Sequence, residues 1–84
     1  MYIIASFKSR LESIMLKKEL DRRGFFAEVV STPKEANIGC GLSVKINPYH
    51  LNSIKRIILT EGFKSFVGFF KVAVTKNGNK VSII

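Results

Sequence analysis

Two stretches of the chain repeat the same succession of hydrophobic and polar positions. Residues 2–7 form an apolar run rich in β-formers, residues 9–23 carry apolar side chains near helical spacing, and residues 25–30 alternate between two faces. In residues 42–74 a strand pattern, a helix pattern, Gly-Phe and a further strand follow in the same order. The repeat predicts two βαβ units.

Each predicted helix begins at a recognisable boundary signal. Ser9 with Glu12 forms a capping box for the first helix, which we expect to end at Gly24. Asn47 followed by Pro48 predicts the start of the second helix, because Asn is a favoured N-cap and proline fits the first helical position. Both helices therefore lie between strands at corresponding places in the two units.

A hairpin is predicted at the end of the sequence. Asn77-Gly78 lies between two β-rich runs, and both residues suit the positive φ of a two-residue turn. We expect residues 81–84 to form a fifth strand at the sheet edge, beside the fourth strand. Lys76 and Lys80 flank the turn and would discourage edge-to-edge aggregation.

These elements predict an α+β fold. Two right-handed βαβ units placed side by side give a ferredoxin-like βαββαβ sandwich, with one antiparallel sheet and two helices on one face. We expect a single domain over residues 1–84, with a βαββαβ core at residues 1–70 and a C-terminal β-hairpin extension at residues 71–84. The alternative is a swapped or open α+β arrangement in which the terminal hairpin pairs with another chain.

The sheet face without helices would expose apolar side chains. It would carry some of Phe26, Val30, Val67 and Phe69, a larger patch than a monomer usually leaves in water. A homodimer or a partner protein could bury this face, and so could the terminal hairpin if it folded over the sheet. The sequence leaves both solutions open.

The excess of positive charge indicates a preference for anionic partners. Fourteen Lys and Arg against six Asp and Glu give a net charge of +8, which favours nucleic acid, an acidic protein or a phosphorylated ligand. No apolar span reaches about 18 residues, and the N-terminus shows no targeting signal. We therefore expect a cytoplasmic protein with no membrane partner.

The most distinctive segment surrounds the single cysteine, Cys40, which lies between Gly39 and Gly41. Glycines allow backbone conformations denied to other residues and leave no side chain beside the sulfur, so Cys40 would be approachable from two sides. One cysteine cannot form an internal disulfide, and with a single histidine, His50, the chain has no zinc-binding set of its own. No cofactor and no metal are expected.

A short helical turn is predicted before this cysteine. Thr32 and Glu35 have the spacing of a capping box, and Pro33 stands where a missing N–H costs nothing. We expect the Thr32 hydroxyl to accept a hydrogen bond from the first turn and Glu35 to reach back towards it. This arrangement would shape the loop around Cys40.

The segment resembles a small family of bacterial and archaeal selenium/sulfur carrier-like proteins. Its members have an N-terminal strand, a helix, Thr-Pro-Arg/Lys-Glu, a few small residues, Cys-Gly and an aliphatic strand. Here the motif stands at residues 32–35, 40–41 and 42–46, and the resemblance covers residues 1 to about 70. Residues 36–38 and the strong positive charge depart from the family pattern, and the terminal hairpin lies outside it.

The resemblance implies that Cys40 carries sulfur or selenium, as a persulfide or selenopersulfide, between donor and acceptor proteins. This role needs an accessible thiol that is partly thiolate, and nearby lysines favour the thiolate. A carrier fits better than an enzyme, since no paired carboxylates, Ser-His-Asp set or phosphate loop can be assembled. The site residues are Cys40 as the reactive group and Thr32, Pro33, Lys34, Glu35, Gly39, Gly41 and Lys45 around it.

Other interpretations are open at this point. Cys40 has the parity of Leu42 and Val44, so an unbroken strand would bury its sulfur as a packing group. The thiol could also ligate a metal between subunits. The chain could be a basic binding module for nucleic acid or an acidic protein, with Phe26 and Phe69 stacking bases. It could also be a regulatory domain whose two loop glycines bring the backbone close to a small ligand.

Overall fold

A computed structural model of the protein describes residues 1–36 and 41–84. Its strands are β1 (Tyr2–Phe7), β2 (Ala27–Ser31), β3 (Leu42–Ile46), β4 (Phe66–Thr75) and β5 (Gly78–Ile83), and its helices are α1 (Arg10–Arg22) and α2 (Leu51–Thr60). Short 3₁₀ turns at Lys34–Ala36 and Pro48–His50 precede β3 and α2. The predicted succession of strand, helix and strand is present in both halves.

The five strands form one antiparallel sheet in the order β2-β3-β1-β4-β5. This confirms the α+β class with two helices and an antiparallel sheet. The order differs from that of a four-stranded ferredoxin-like sheet, because β5 adds a strand beside β4. The predicted boundary between residues 70 and 71 falls inside β4, which continues to Thr75.

Both helices pack on one face of the sheet. Because alternate residues of a strand point to opposite faces, β1 turns Ile3, Ala5 and Phe7 towards the helices. The helical side chains buried against them are Leu16, Leu20, Ile54, Ile57 and Ile58. The Phe7 ring centroid lies 5.5 Å from that of Phe63 and 5.4 Å from that of Phe66. No helix in the described ranges is long and apolar enough to cross a membrane.

At the start of α1, only one of the two hydrogen bonds of the predicted capping box forms. The Ser9 hydroxyl accepts a hydrogen bond from the Glu12 N–H at 3.2 Å, as expected. The Glu12 carboxylate does not return to Ser9 but accepts from Lys64 and Ser65 in the loop between α2 and β4. The Ser9 N–H is bound by the Ser65 hydroxyl at 3.1 Å. Ser65 therefore links both residues of the cap.

The predicted terminal hairpin is present, with its turn one residue earlier than expected. Thr75 pairs with Gly78, so Lys76 and Asn77 are the central turn residues. Gly78, which follows them, has a φ of 117°, a value that favours glycine. The hairpin extends the sheet sideways and does not fold over its face.

The sheet face opposite the helices carries a smaller apolar cluster. It consists of Ile4, Phe70 and Val72, with Tyr2, Val30 and Val81 packed against them. The sequence predicted that some of Phe26, Val30, Val67 and Phe69 lie on this face. Val30 packs there, whereas Phe69 is 7% exposed in the core beneath the helices. Phe26 is 64% exposed. Because Phe69 is buried, these two rings cannot form the base-stacking pair considered for nucleic acid.

Candidate functional site

The segment after β2 runs to the terminal hairpin on the face opposite the helices. The turn Lys34–Ala36 contacts β5, and the Ala36 N–H donates to the Pro33 carbonyl at 3.0 Å. Pro33 is buried. A helical turn after Thr32 was predicted, and it takes the tighter 3₁₀ form. The side chain of Pro33 and the contact with β5 hold the turn against the sheet.

Thr32 fixes the other end of this segment. Its backbone N–H donates to the Gly41 carbonyl at 2.8 Å, one step beyond the last pair of the β2–β3 ladder. Its hydroxyl lies 2.6 Å from the Ser43 hydroxyl, which lies 2.8 Å from the Ser6 hydroxyl. Three hydroxyl groups therefore form a chain from the centre of the sheet to the start of the loop.

Ser6 and Ser43 were not singled out in the sequence, although both are fully buried. They stand directly opposite each other on β1 and β3. The available signal was a serine inside each apolar strand pattern, at a position facing away from the helices. A buried hydroxyl needs a partner, and the pairing of the two strands supplies it.

The capping role predicted for Thr32 and Glu35 is replaced by longer-range contacts. The Thr32 hydroxyl binds Ser43. The Glu35 carboxylate reaches forward to the hairpin, where it accepts from the Asn79 N–H at 3.4 Å. Hydrogen bonds from its own backbone N–H and from Asn79 lower the pKa of Glu35. Glu35 thus joins the turn to the chain's last strand.

Gly41 ends the regular alternation of β3. Its φ is +91°, which side-chain-bearing residues rarely adopt, and β3 begins at the next residue, Leu42. The argument that Cys40 shares the parity of Leu42 required an unbroken strand through Gly41, and that condition is not met. Cys40 and Gly39 themselves lie outside the described residues, so their predicted exposure and conformation stay predictions.

The two lysines assigned to the site lie in different places. Lys34 is exposed on the turn that leads to the loop, next to Glu35. Lys45 is four residues along β3 from Gly41, about 13 Å at the rise of a strand. Its ammonium lies 4.9 Å from the centroid of the Tyr2 ring, a cation–π contact. Only Lys34 therefore belongs to the loop end of the sheet.

An apolar groove lies beside the turn, with a volume of about 540 Å³. Glu35 and Ala36 form one side, and Phe70, Val81 and Ile83 of the last two strands are among the residues of the other. Among residues 1–36 and 41–84, no group of three or more His, Cys, Asp and Glu could hold a metal ion. The described part of the site therefore offers hydrogen bonds and apolar surface.

Comparison with known proteins identifies the family. A family model described as "Putative Se/S carrier protein-like" matches residues 2–65, which include the whole segment from Thr32 to Gly41. No curated protein and no solved structure matched the chain. The match ends just before β4, so the terminal hairpin lies beyond it. With three quarters of its length matched, the chain belongs to the Se/S carrier protein-like family.

Proposed function

We propose that the protein carries sulfur or selenium on Cys40, as a persulfide or selenopersulfide, and passes it from a donor protein to an acceptor protein. The observation that carries this proposal is the match of the Se/S carrier protein-like family over residues 2–65, which include the single cysteine, Cys40, directly before a glycine with φ of +91°. A left-handed residue at 41 breaks the strand geometry that would direct residue 40 into the core.

The proposed loading step is a thiol exchange. The Cys40 thiolate attacks the terminal sulfur of a donor cysteine persulfide, a new S–S bond forms on Cys40, and the donor S–S bond breaks. The donor cysteine leaves as a thiolate, so no external oxidant is needed. Delivery is the same exchange with an acceptor thiolate, which takes the terminal atom and releases the Cys40 thiolate.

The residues around Cys40 would hold the loop and favour its anionic form. Thr32 secures the Gly41 end through a backbone hydrogen bond, and Glu35 secures the preceding turn to the hairpin. Lys34 and the net charge of +8 favour a thiolate. Lys45 contributes only through this overall field, since it is engaged with Tyr2 at the far end of β3. Pro33 is a packing residue in this proposal.

Mass spectrometry tests the proposal directly. Wild-type protein incubated with a cysteine desulfurase and cysteine should gain the mass of one sulfur atom, and a reductant should remove it. Cys40→Ser should gain nothing under the same conditions. Absence of added sulfur on the wild type, or equal addition to Cys40→Ser, would refute the role. Loading with selenocysteine and a selenocysteine lyase extends the test to selenium.

We also interpret β1–β4 and the two helices as a ferredoxin-like βαββαβ unit to which β5 is added. The order of the first four strands, β2-β3-β1-β4, with both helices packed in one core, supports this interpretation. The family match covers the first three strands and both helices. A nucleic-acid-binding module is not favoured, because Phe69 is buried and the match is to a carrier-like family.

A further inference from the structure

The outer edge of β5 offers backbone groups to a further strand. The Ile84 N–H donates to the Phe69 carbonyl. Together with the strand register, this bond determines which residues of β5 direct their backbone groups towards β4. Because hydrogen-bonded and non-hydrogen-bonded pairs alternate in an antiparallel ladder, the N–H and C=O groups of Asn79, Val81 and Ile83 point away from β4. The Asn79 N–H meets the Glu35 carboxylate. In the described part of the chain, β5 pairs with β4 alone.

One face of this edge is apolar. Val81 and Ile83 stand opposite Val72 and Phe70 on the face that bears the smaller apolar cluster, and both line the groove beside the turn. Ile83 is 83% exposed. A strand added beside β5 would place every second side chain next to these residues, where an apolar side chain would cover them.

The opposite face of the same edge is positively charged. Lys80 and Lys71 lie on adjacent strands, opposite Ala73 and Ser82, so they are diagonal neighbours on one face. Both are exposed. Residues 62–84 contain four lysines and no Asp or Glu, so the hairpin has no acidic residue of its own. Alternate side chains of an added strand would stand beside Lys80, with Lys71 one strand further into the sheet.

We propose that the outer edge of β5 binds an extended segment of a partner protein in which apolar residues alternate with acidic ones. Its backbone would pair with Val81 and Ile83, and its apolar side chains would enter the groove. Its carboxylates would lie beside Lys80, with the charge of Lys71 one strand further in. A second copy fits poorly, because pairing two β5 edges would bring lysines together. The Glu35 contact with Asn79 shows a carboxylate already accepting from this edge.

The groove adjoins the segment that leads to Cys40, since Ala36 lines it. Identifying the docked segment with the sulfur donor or acceptor therefore rests on the proposed function. The docking itself needs no thiol and is measured with Cys40→Ser protein. Failure of sulfur loading and failure of docking are consequently separate results.

The probe is a capped dodecapeptide of alternating Val and Glu, titrated into ¹⁵N-labelled Cys40→Ser protein. We expect the largest amide shift changes at Asn79, Val81 and Ile83. A matched peptide of alternating Val and Lys should bind at least about tenfold more weakly, because its charges oppose those of the hairpin. Equal binding of both peptides, or shifts confined to other strands, would overturn the proposal.

Two variants separate the contributions of backbone and charge. Ile83→Pro removes an outward N–H without removing a β4–β5 hydrogen bond, and should weaken the Val-Glu peptide about tenfold relative to Ile83→Ala. Lys71→Glu combined with Lys80→Glu should reverse the preference between the two peptides. An unchanged preference in the double variant would contradict the proposal even if Ile83→Pro failed to fold.

A single-stranded oligouridylate tests the competing class of ligand. We expect it to leave the amide shifts of Val81 and Ile83 unchanged at moderate salt. If it bound through Lys71 and Lys80 while the Val-Glu peptide caused no shift, the edge would be a nucleic-acid contact and the peptide proposal would be wrong.

Discussion

The Glu12 carboxylate accepts hydrogen bonds from the Ser65 N–H at 2.8 Å and the Ser65 hydroxyl at 2.6 Å, across 53 positions of the sequence. It accepts a third from the Lys64 N–H at 3.1 Å. These bonds tie the first turn of α1 to the loop that enters β4. The helix of the first βαβ unit and the loop before the last strand of the second are therefore held together by one side chain.

Replacing Glu12 should destabilise the protein. Glu12→Ala removes three acceptor contacts and leaves the donors of Lys64 and Ser65 to water, so we expect a loss of about 1–3 kcal/mol in the free energy of unfolding. Urea denaturation measures this loss. Asp21→Asn is the matched control, because its bond to Lys17 is an exposed pair on α1 and should change stability by less than about 0.5 kcal/mol. Equal losses in the two variants would contradict the assigned role.

Stability should also fall at acidic pH through the same residue. The hydrogen bonds from the Ser65 side chain and backbone lower the pKa of Glu12 below the ordinary glutamate value of 4.5. The unfolded chain then binds more protons than the folded one in this range, so the contribution of Glu12 is present above pH 4.5 and is lost as the pH falls through the folded pKa. Urea denaturation at several pH values should show a smaller acid loss for Glu12→Gln than for the wild type. Identical pH profiles would exclude this linkage.

Gly41 and Gly24 allow a matched test of the loop. Their φ values are +91° and +83°, and a methyl group at either position would meet nothing within 4 Å. Each substitution to alanine should therefore cost about 1–2 kcal/mol through backbone strain alone. Only Gly41→Ala should also change the alkylation rate of Cys40 in the folded protein. A change of similar size in Gly24→Ala would mean that the rate reports general stability.

The hydrogen-bonded hydroxyls of Ser6, Ser43 and Thr32 predict that substitutions of Ser6 and Ser43 have non-additive effects on stability. Ser43→Ala leaves the fully buried Ser6 hydroxyl without its partner and should cost about 1–3 kcal/mol. Adding Ser6→Ala should cost little more, because no buried hydroxyl is then left unpaired on these two strands. Ser53→Ala on the exposed side of α2 is the control, with a change below about 0.5 kcal/mol. A double-mutant cycle with strictly additive costs would contradict the pairing.

Local signals in the sequence predicted the order of elements well. Asn47 caps the turn that leads into α2, where its side chain accepts from the Tyr49 N–H at 2.9 Å. The Ser9 cap and the C-terminal hairpin were predicted from residues a few positions apart. Such interactions depend on neighbours in the chain, so they can be recognised from spacing alone.

The features that the sequence did not predict depend on strand register and on partners far away in the chain. Phe69 was one of four candidates for the open face, but its pairing with Ala5 places it with the helices. Glu35 and Thr32 have capping spacing, yet their partners are Asn79 and Ser43, which only the folded sheet brings near. A capping motif indicates which groups a side chain is able to bind. Which of those groups lies within hydrogen-bond distance depends on the tertiary fold.

The Glu35 contact with Asn79 links the turn Lys34–Ala36 to a strand outside the family-matched region, which ends at residue 65. Without residues 78–84 this chain would have no amide at this place, and the Glu35 carboxylate would lie in water. Here the hydrogen bonds from its own backbone N–H and from Asn79 keep the pKa of Glu35 low, so the ionised carboxylate is held beside β5. The added strand thus fixes where the turn Lys34–Ala36 places its negative charge.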